Sequence, residues 1–403
     1  MDIRMIHGVP HMECRYLGGG KVLQLTDAGT DRRFGFRTMN ASIYWGKENR
    51  VQEIEPQMEK HRMGEFYFAE HERNYTYFFH LEAIEGAADR MECVLYRYLL
   101  EEQKMEELLR FTDRPSLYQK DKQLKVFVLN ANYILLQFAY RRSTLDNTHE
   151  GYYDFEQVLY DLDEKLKYQV TEENISAYGI ETIFPLERNL CAVRVGYSQM
   201  EGGFSSFTKG DAPVELLGII PITQMISELI LSQSQLSMEV ICSVQFYETI
   251  YGLSMTGDHL IFSRVFRENE GRELVNYNWK TKEIQRYPYK KSAGEELPGT
   301  GCLIQGRPYL VNGDSSHAHL VPLDKRNGEI RFQNRSRLAG IAGNLLCIEN
   351  MRKKMFTGRQ ETVYEVYQYP EMKQLLRERG AGLCWLEAPD LNIVYMFVCN
   401  EEE

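Results

Sequence analysis

Two kinds of hairpin recur along the whole chain, and their alternation limits what it can fold into. The first kind is seen in LVNYNWKTKEIQRYPY (Leu274–Tyr289). An alternating apolar strand enters a short polar turn, and alternation resumes on the way out, as in half-buried antiparallel strands. Ser42–Glu55, Cys93–Phe111, Gln157–Val170, His319–Phe332 and Thr362–Leu375 have the same form. The second kind is more apolar, with a tight turn at Asn74, Asn132, Asn189, Asp258, Gly306, Asn344 or Asn392 leading straight into a hydrophobic strand. Asn and Asp tolerate the left-handed backbone that tight turns need, and Gly adopts it without steric cost.

The two kinds alternate at a period of about 40–70 residues, the length of a unit of four antiparallel strands. The 26 Tyr and 19 Phe favour strands over helices. On these hairpins the whole chain resembles the β-propeller superfold. Trp45, Trp279 and Trp385 are not followed by Asp, and a Gly run occurs once, at Gly18–Gly20, so neither the WD40 nor the kelch pattern is present. The resemblance implies an architecture and leaves activity open.

Complete four-stranded blades are expected at about 64–111, 124–170, 178–232, 247–289, 301–334 and 337–377. The apolar hairpins would supply the two inner strands and the polar-turn hairpins the two outer ones. The C-terminal hairpin GLCWLEAPDLNIVYMFVC lacks partners, and the N-terminal segment has strands to spare in MECRY, KVLQL, SIYW and VQEIE. Closing a ring with strands from both termini removes exposed edges. Seven blades are expected, with eight as the alternative, in one domain spanning 1–403. Pro221, followed by Met225, Ile226, Leu229 and Ile230 at helical spacing, predicts a short helical insertion near 221–237.

Composition narrows the function. A net charge of −11 argues against a nucleic-acid surface, and the basic cluster MRKK (Met351–Lys354) is short. The N-terminal stretch lacks the apolar core and cleavage site of a signal peptide. The longest apolar run, around Ile219–Leu231, is broken by Pro221, Gln224 and Glu228, so neither a membrane span nor a membrane partner is expected. Cys14, Cys93, Cys191, Cys242, Cys302, Cys347, Cys384 and Cys399 sit mostly in apolar runs without CxxC spacing, which predicts free thiols and a cytoplasmic protein.

Chemistry is sparsely signalled. No HExxH, P-loop, Rossmann glycine or GxSxG pattern occurs, and catalytic residues are not assigned. His317 and His319 in GDSSHAHLV would share one strand face, so both imidazoles could meet one divalent metal, and Asp314 upstream could add a carboxylate. The competing reading is a solvent-facing strand, and no other cofactor is expected. His80 and His259 read as packed or capping histidines. The long connections Tyr140–Asp154 and Gly196–Ala212 join strands two and three of their blades and would lie on one face. Arg141, Arg142, Asp146, His149, Tyr152 and Phe204 are the candidate ligand- or partner-binding residues there. The leading expectation is a non-enzymatic scaffold that binds a protein or small ligand at that face. The alternative is a hydrolase or lyase with a polar, metal-accepting site at the channel mouth.

Overall fold

The structure, a computed structural model, describes residues 1–9, 12–30, 37–60, 63–70, 74–87, 89–114, 122–141, 153–169, 178–197, 215–233, 235–244, 248–266, 271–290, 300–314, 317–323, 330–331, 336–353 and 360–399. The fold is all-β and of β-propeller type, with eight blades and one short helix. No helix among the described residues is long and apolar enough to cross a membrane.

Strand β1 (Asp2–Val9) is used at the far end of the chain, as set out below. The next four strands, β2 (Met12–Gly18), β3 (Lys21–Thr30), β4 (Arg37–Trp45) and β5 (Arg50–Lys60), pair in sequence order as one sheet. Strand β6 (Met63–Phe68) precedes a three-stranded sheet of β7 (Tyr75–Ala83), β8 (Met91–Leu99) and β9 (Lys104–Asp113). Then come β10 (Lys122–Val128), β11 (Tyr133–Arg141), β12 (Tyr153–Asp161) and β13 (Leu166–Gln169), followed by β14 (Tyr178–Glu187), β15 (Leu190–Tyr197), β16 (Glu215–Pro221) and β17 (Glu239–Val244). The helix α1 (Ile222–Ile230) lies between β16 and β17.

The later blades are β18 (Glu248–Thr256) to β19 (His259–Phe266), β20 (Gly271–Asn278) and β21 (Ile284–Lys290), then β22 (Thr300–Ile304) to β23 (Arg307–Asp314), β24 (His317–Pro322) and β25 (Ile330–Arg331). These are followed by β26 (Ser336–Ala342), β27 (Leu345–Lys353), β28 (Gln360–Gln368) and β29 (Lys373–Arg379), which one bridge, His317 to Ser336, joins to the blade before. The last blade holds β30 (Gly382–Ala388), β31 (Ile393–Cys399) and β1, which pairs in parallel with β31.

That last blade corrects the expected seven to eight. A single strand from the N-terminus completes the C-terminal hairpin, so β2–β5 remain a full sheet of their own. A second correction concerns 64–111. The ladder of β6 runs in parallel to β10 of the following sheet, from Met63 opposite Leu124 to Phe68 opposite Val128. Its alternate side chains Phe66 and Phe68 pack on Tyr77 of β7, while Tyr67 stacks on Phe127 at 5.1 Å between ring centres.

By contact density the chain divides into two compact units, Met1–Thr26 with Tyr44–Arg50 and Tyr247–Glu403, and Asp27–Ile43 with Val51–Phe246. The first has cores between successive blades, such as Ile304, Tyr309, Leu320, Leu346 and Ile348. In the second, Phe127, Leu135, Tyr178, Ile180, Val193 and Val195 pack with Ile222, Met225, Ile226 and Leu229 of the helix. Pro221 stands at its N-cap in extended backbone, as its fixed φ and missing N–H favour. One buried polar group laces this core. Gln137 Oε1 accepts the Ile180 N–H at 2.7 Å and Gln157 Nε2 at 2.8 Å, and Gln137 Nε2 donates to the Ile180 carbonyl at 2.9 Å. Fully paired in this way, the amide is not the liability an unsatisfied one would be.

The outer hairpins share a backbone device. Asn49, Gln103, Lys165, Lys282 and Met372 each end a polar turn with φ between 51° and 64°. This is the left-handed residue that closes a three- to five-residue hairpin loop. Only Asn49 among them is a residue that enters that region readily. Replacing the exposed Gln103 by Gly removes about 1–2 kcal/mol of left-handed strain and adds about 0.5–1 kcal/mol of chain entropy. Gln103→Gly is therefore expected to stabilise the protein by roughly 0.5–1 kcal/mol, read as a higher denaturant midpoint.

Candidate functional site

The first unit contains a cavity of about 520 Å³ walled by the tight turns of its inner hairpins. Thr256–His259 come from the β18–β19 turn, Leu303, Gln305 and Gly306 from β22–β23, Gly343 and Asn344 from β26–β27, and Asn392 from β30–β31, with Met1 beside them. Short turns are favoured here because each inner strand must reverse at once into its neighbour. Gly306 takes φ +73°, and a side chain there would meet nothing within 4 Å, so its backbone stands open to a ligand. The volume lies within the range of small-molecule sites.

His259 is the titratable ring in this wall, and both its nitrogens are engaged. Nδ1 lies 2.8 Å from Asn276 Oδ1. The Asn276 amide is oriented by its other end, where Nδ2 donates to Gln285 Oε1 at 3.2 Å. Asn276 is 3% exposed, so this geometry is enforced by packing. The second nitrogen, Nε2, faces Asn278 Nδ2 at 3.4 Å. Asn278 is fixed in turn, since its Oδ1 accepts the Lys280 and Thr281 N–H groups at 3.0 Å each. The result is an imidazole with its proton on Nδ1 and its lone pair on Nε2, held by one firm and one long hydrogen bond.

Next to it, Asp258 pairs with Lys280 Nζ at 2.8 Å, and that ammonium lies 5.1 Å from the Trp279 ring centre. Both partners of the ion pair are well exposed, so it contributes at most about 1 kcal/mol and a polar ligand can displace it.

Arg142, Asp146, His149, Tyr152 and Phe204 lie outside the described residues. Arg141 is the last residue of β11, opposite Tyr153, and its side chain lies outside the description. For the metal candidates the backbone places Asp314 directly across from His317, and His319 across from Asn312, on the β23–β24 hairpin. Their side chains lie outside the description as well. Among the described residues, no three His, Cys, Asp or Glu side chains come together as metal ligands.

His259, read from the sequence as a packed histidine, is half-buried and faces the cavity. Sequence reasoning named Asp258, Gly306, Asn344 and Asn392 as turn residues and missed that their turns share one wall. The signal was present in their common role as the inner reversal of each blade.

No protein-family model matches the chain, and no curated protein matches it. Solved structures are similar in fold. One, from an analysis of two prolyl endopeptidases, is 10% identical with a TM-score of 0.46 and covers 96% of this chain and 53% of its own. A post-proline cleaving enzyme from Rickettsia typhi is 11% identical with a TM-score of 0.40, covering 89% of this chain and 49% of its own. The β-propeller domain of the Trilobed protease from Pyrococcus furiosus is 11% identical with a TM-score of 0.41, covering 90% of this chain and 96% of its own. The chain thus spans about half the length of the first two. The leading expectation of a non-enzymatic scaffold is not borne out by these neighbours, which are peptidases or a domain of one. The likeness is one of fold, and it carries no activity across to this chain.

The tautomer is open to direct measurement. In ¹⁵N spectra of the imidazoles, His259 is expected to carry its proton on Nδ1. Asn276→Ala is expected to return it toward the ordinary Nε2–H form and to cost about 1–3 kcal/mol by removing the acceptor of the half-buried Nδ1–H.

Proposed function

We propose that the chain is a hydrolase-type β-propeller with its site in the inner-turn cavity, where His259 acts as the general base on water. The observation that carries this reading is the fixed imidazole. Asn276 holds Nδ1–H at 2.8 Å, which leaves Nε2 as the basic nitrogen of a residue that lines the cavity. The 3.4 Å contact from Asn278 is long enough for a substrate-bound water to replace it. A base, its orienting partner and a space for the reacting group are the elements that general-base hydrolysis needs.

The substrate would be small or the end of a chain, given a cavity of about 520 Å³. Asp258, Gln305, Asn344 and Asn392 offer side-chain hydrogen bonds to a polar group, while Leu303 and Met1 offer apolar contact. The cytoplasm is the compartment proposed, supported by eight cysteines that are all free thiols.

The test is turnover of a panel of chromogenic carboxyl esters, peptide amides and phosphoesters by the full chain. One class is expected to be hydrolysed, with His259→Gln lowering kcat/KM by about 10²–10⁴-fold while the far-UV circular dichroism is unchanged. No turnover of any class, or equal turnover by the variant, would overturn the reading.

A further inference from the structure

Three of the eight thiols, Cys14, Cys302 and Cys384, are half-buried, and the other five are buried. Cys14 lies on β2 opposite Gln24, and Cys384 lies on β30 opposite Phe397. The two strands belong to different sheets, yet both cysteines pack against the same core of Val22, Tyr44, Ala388, Tyr395 and Phe397. There the Cys14 thiol donates a hydrogen bond to the Cys384 sulfur, and the Cys14 backbone N–H points at that sulfur too. Two thiols from opposite ends of the chain are therefore in contact, within reach of solvent.

We propose that Cys14 and Cys384 are an oxidative modification site, a thiol pair that closes to a disulfide joining β2 to β30 when the protein meets a hydroperoxide. Cys384 is the attacking group. The hydrogen bond from Cys14 holds its thiol below the usual value, against opposing effects of burial and of Glu13. The same hydrogen bond, with burial, pushes the Cys14 thiol far up, so Cys14 keeps its proton while Cys384 reacts. Cys302 is set apart, since burial pushes it up to about 12.

The Cys384 thiolate attacks the peroxide O–O bond, takes one oxygen as a sulfenic acid and releases hydroxide. The Cys14 sulfur then attacks the sulfenic sulfur, the S–O bond breaks and the S–S bond forms. The hydroxide that leaves Cys384 in this second step departs with the Cys14 proton as water. The hydroxide from the first step recovers the proton that ionisation of Cys384 had released. In balance, two thiols and one hydrogen peroxide give one disulfide and two waters, with sulfur oxidised and peroxide oxygen reduced.

The experiment is intact-mass spectrometry and non-reducing peptide mapping of the full chain, before and after dilute hydrogen peroxide and thiol blocking. The expected result is a loss of two hydrogens and a single linked peptide pair containing Cys14 and Cys384, both reversed by dithiothreitol. Cys302→Ser is expected to behave as the wild type, and Cys14→Ser and Cys384→Ser to lose the link. A peroxide-treated wild-type chain that loses no hydrogens, links other cysteines, or gains oxygen at Cys384 without a link would overturn the proposal. This readout needs no variant to fold.

Discussion

The parallel ladder between β1 and β31 is the interaction on which the count and closure of the blades depend. It runs from Asp2 opposite Ile393 to Val9 opposite Cys399, with one irregularity between His7 and Val9. The central strand of that sheet reads IVYMFVC and is buried on both faces after its first residue. Val394, Met396 and Val398 pack on one side with Ile3, Met5 and Leu376, while Tyr395 and Phe397 pack on the other with Ile6, Val22 and Tyr44. A continuous apolar run is what a strand needs when both faces are covered. Each such side chain, fully buried, contributes about 1.5–3 kcal/mol, so the ladder aligns a large part of the first unit's core. Because the N-terminus gives only one strand to this sheet, β2–β5 form a complete blade and the number is eight.

Much of the strand pattern could be read from the sequence, because period-two alternation and turn residues are local signals. Asn189, Gly306 and Asn392 were expected as inner turns and do take positive φ. At the turns marked by Asp258 and Asn344 the preceding glycines, Gly257 and Gly343, carry it. The helix was legible for the same reason, since Pro221 and the spacing of Met225, Ile226 and Leu229 are local too. The left-handed Lys165, Lys282, Gln103 and Met372 were not legible, because these types have no preference for that region and tertiary pairing imposes it. Nor was the transfer of β6 to β10. Phe66, Tyr67 and Phe68 alternate as any strand does, and alternation does not say which neighbour takes the ladder.

The site was less legible than the fold. Its wall collects residues from four hairpins spread between Thr256 and Asn392, and only their spatial convergence makes a cavity. His259 looked like a packed residue because Leu260, Ile261 and Phe262 beside it are core. What distinguishes it is a pair of asparagines, Asn276 and Asn278, on the strand next to it, a cross-strand relation that the sequence spacing conceals. The thiol pair is hidden for the same reason, with Cys14 and Cys384 near opposite ends of the chain.

The terminal ladder is tested most directly by amide hydrogen exchange of residues 3–7 in the native full chain. If β1 is hydrogen-bonded to β31, those amides that face the ladder exchange as slowly as those of 394–398, and the two segments lose protection together as denaturant is added. Exchange of residues 3–7 at the rate of an unfolded peptide, while 394–398 stay protected, would contradict the closure of the eighth blade.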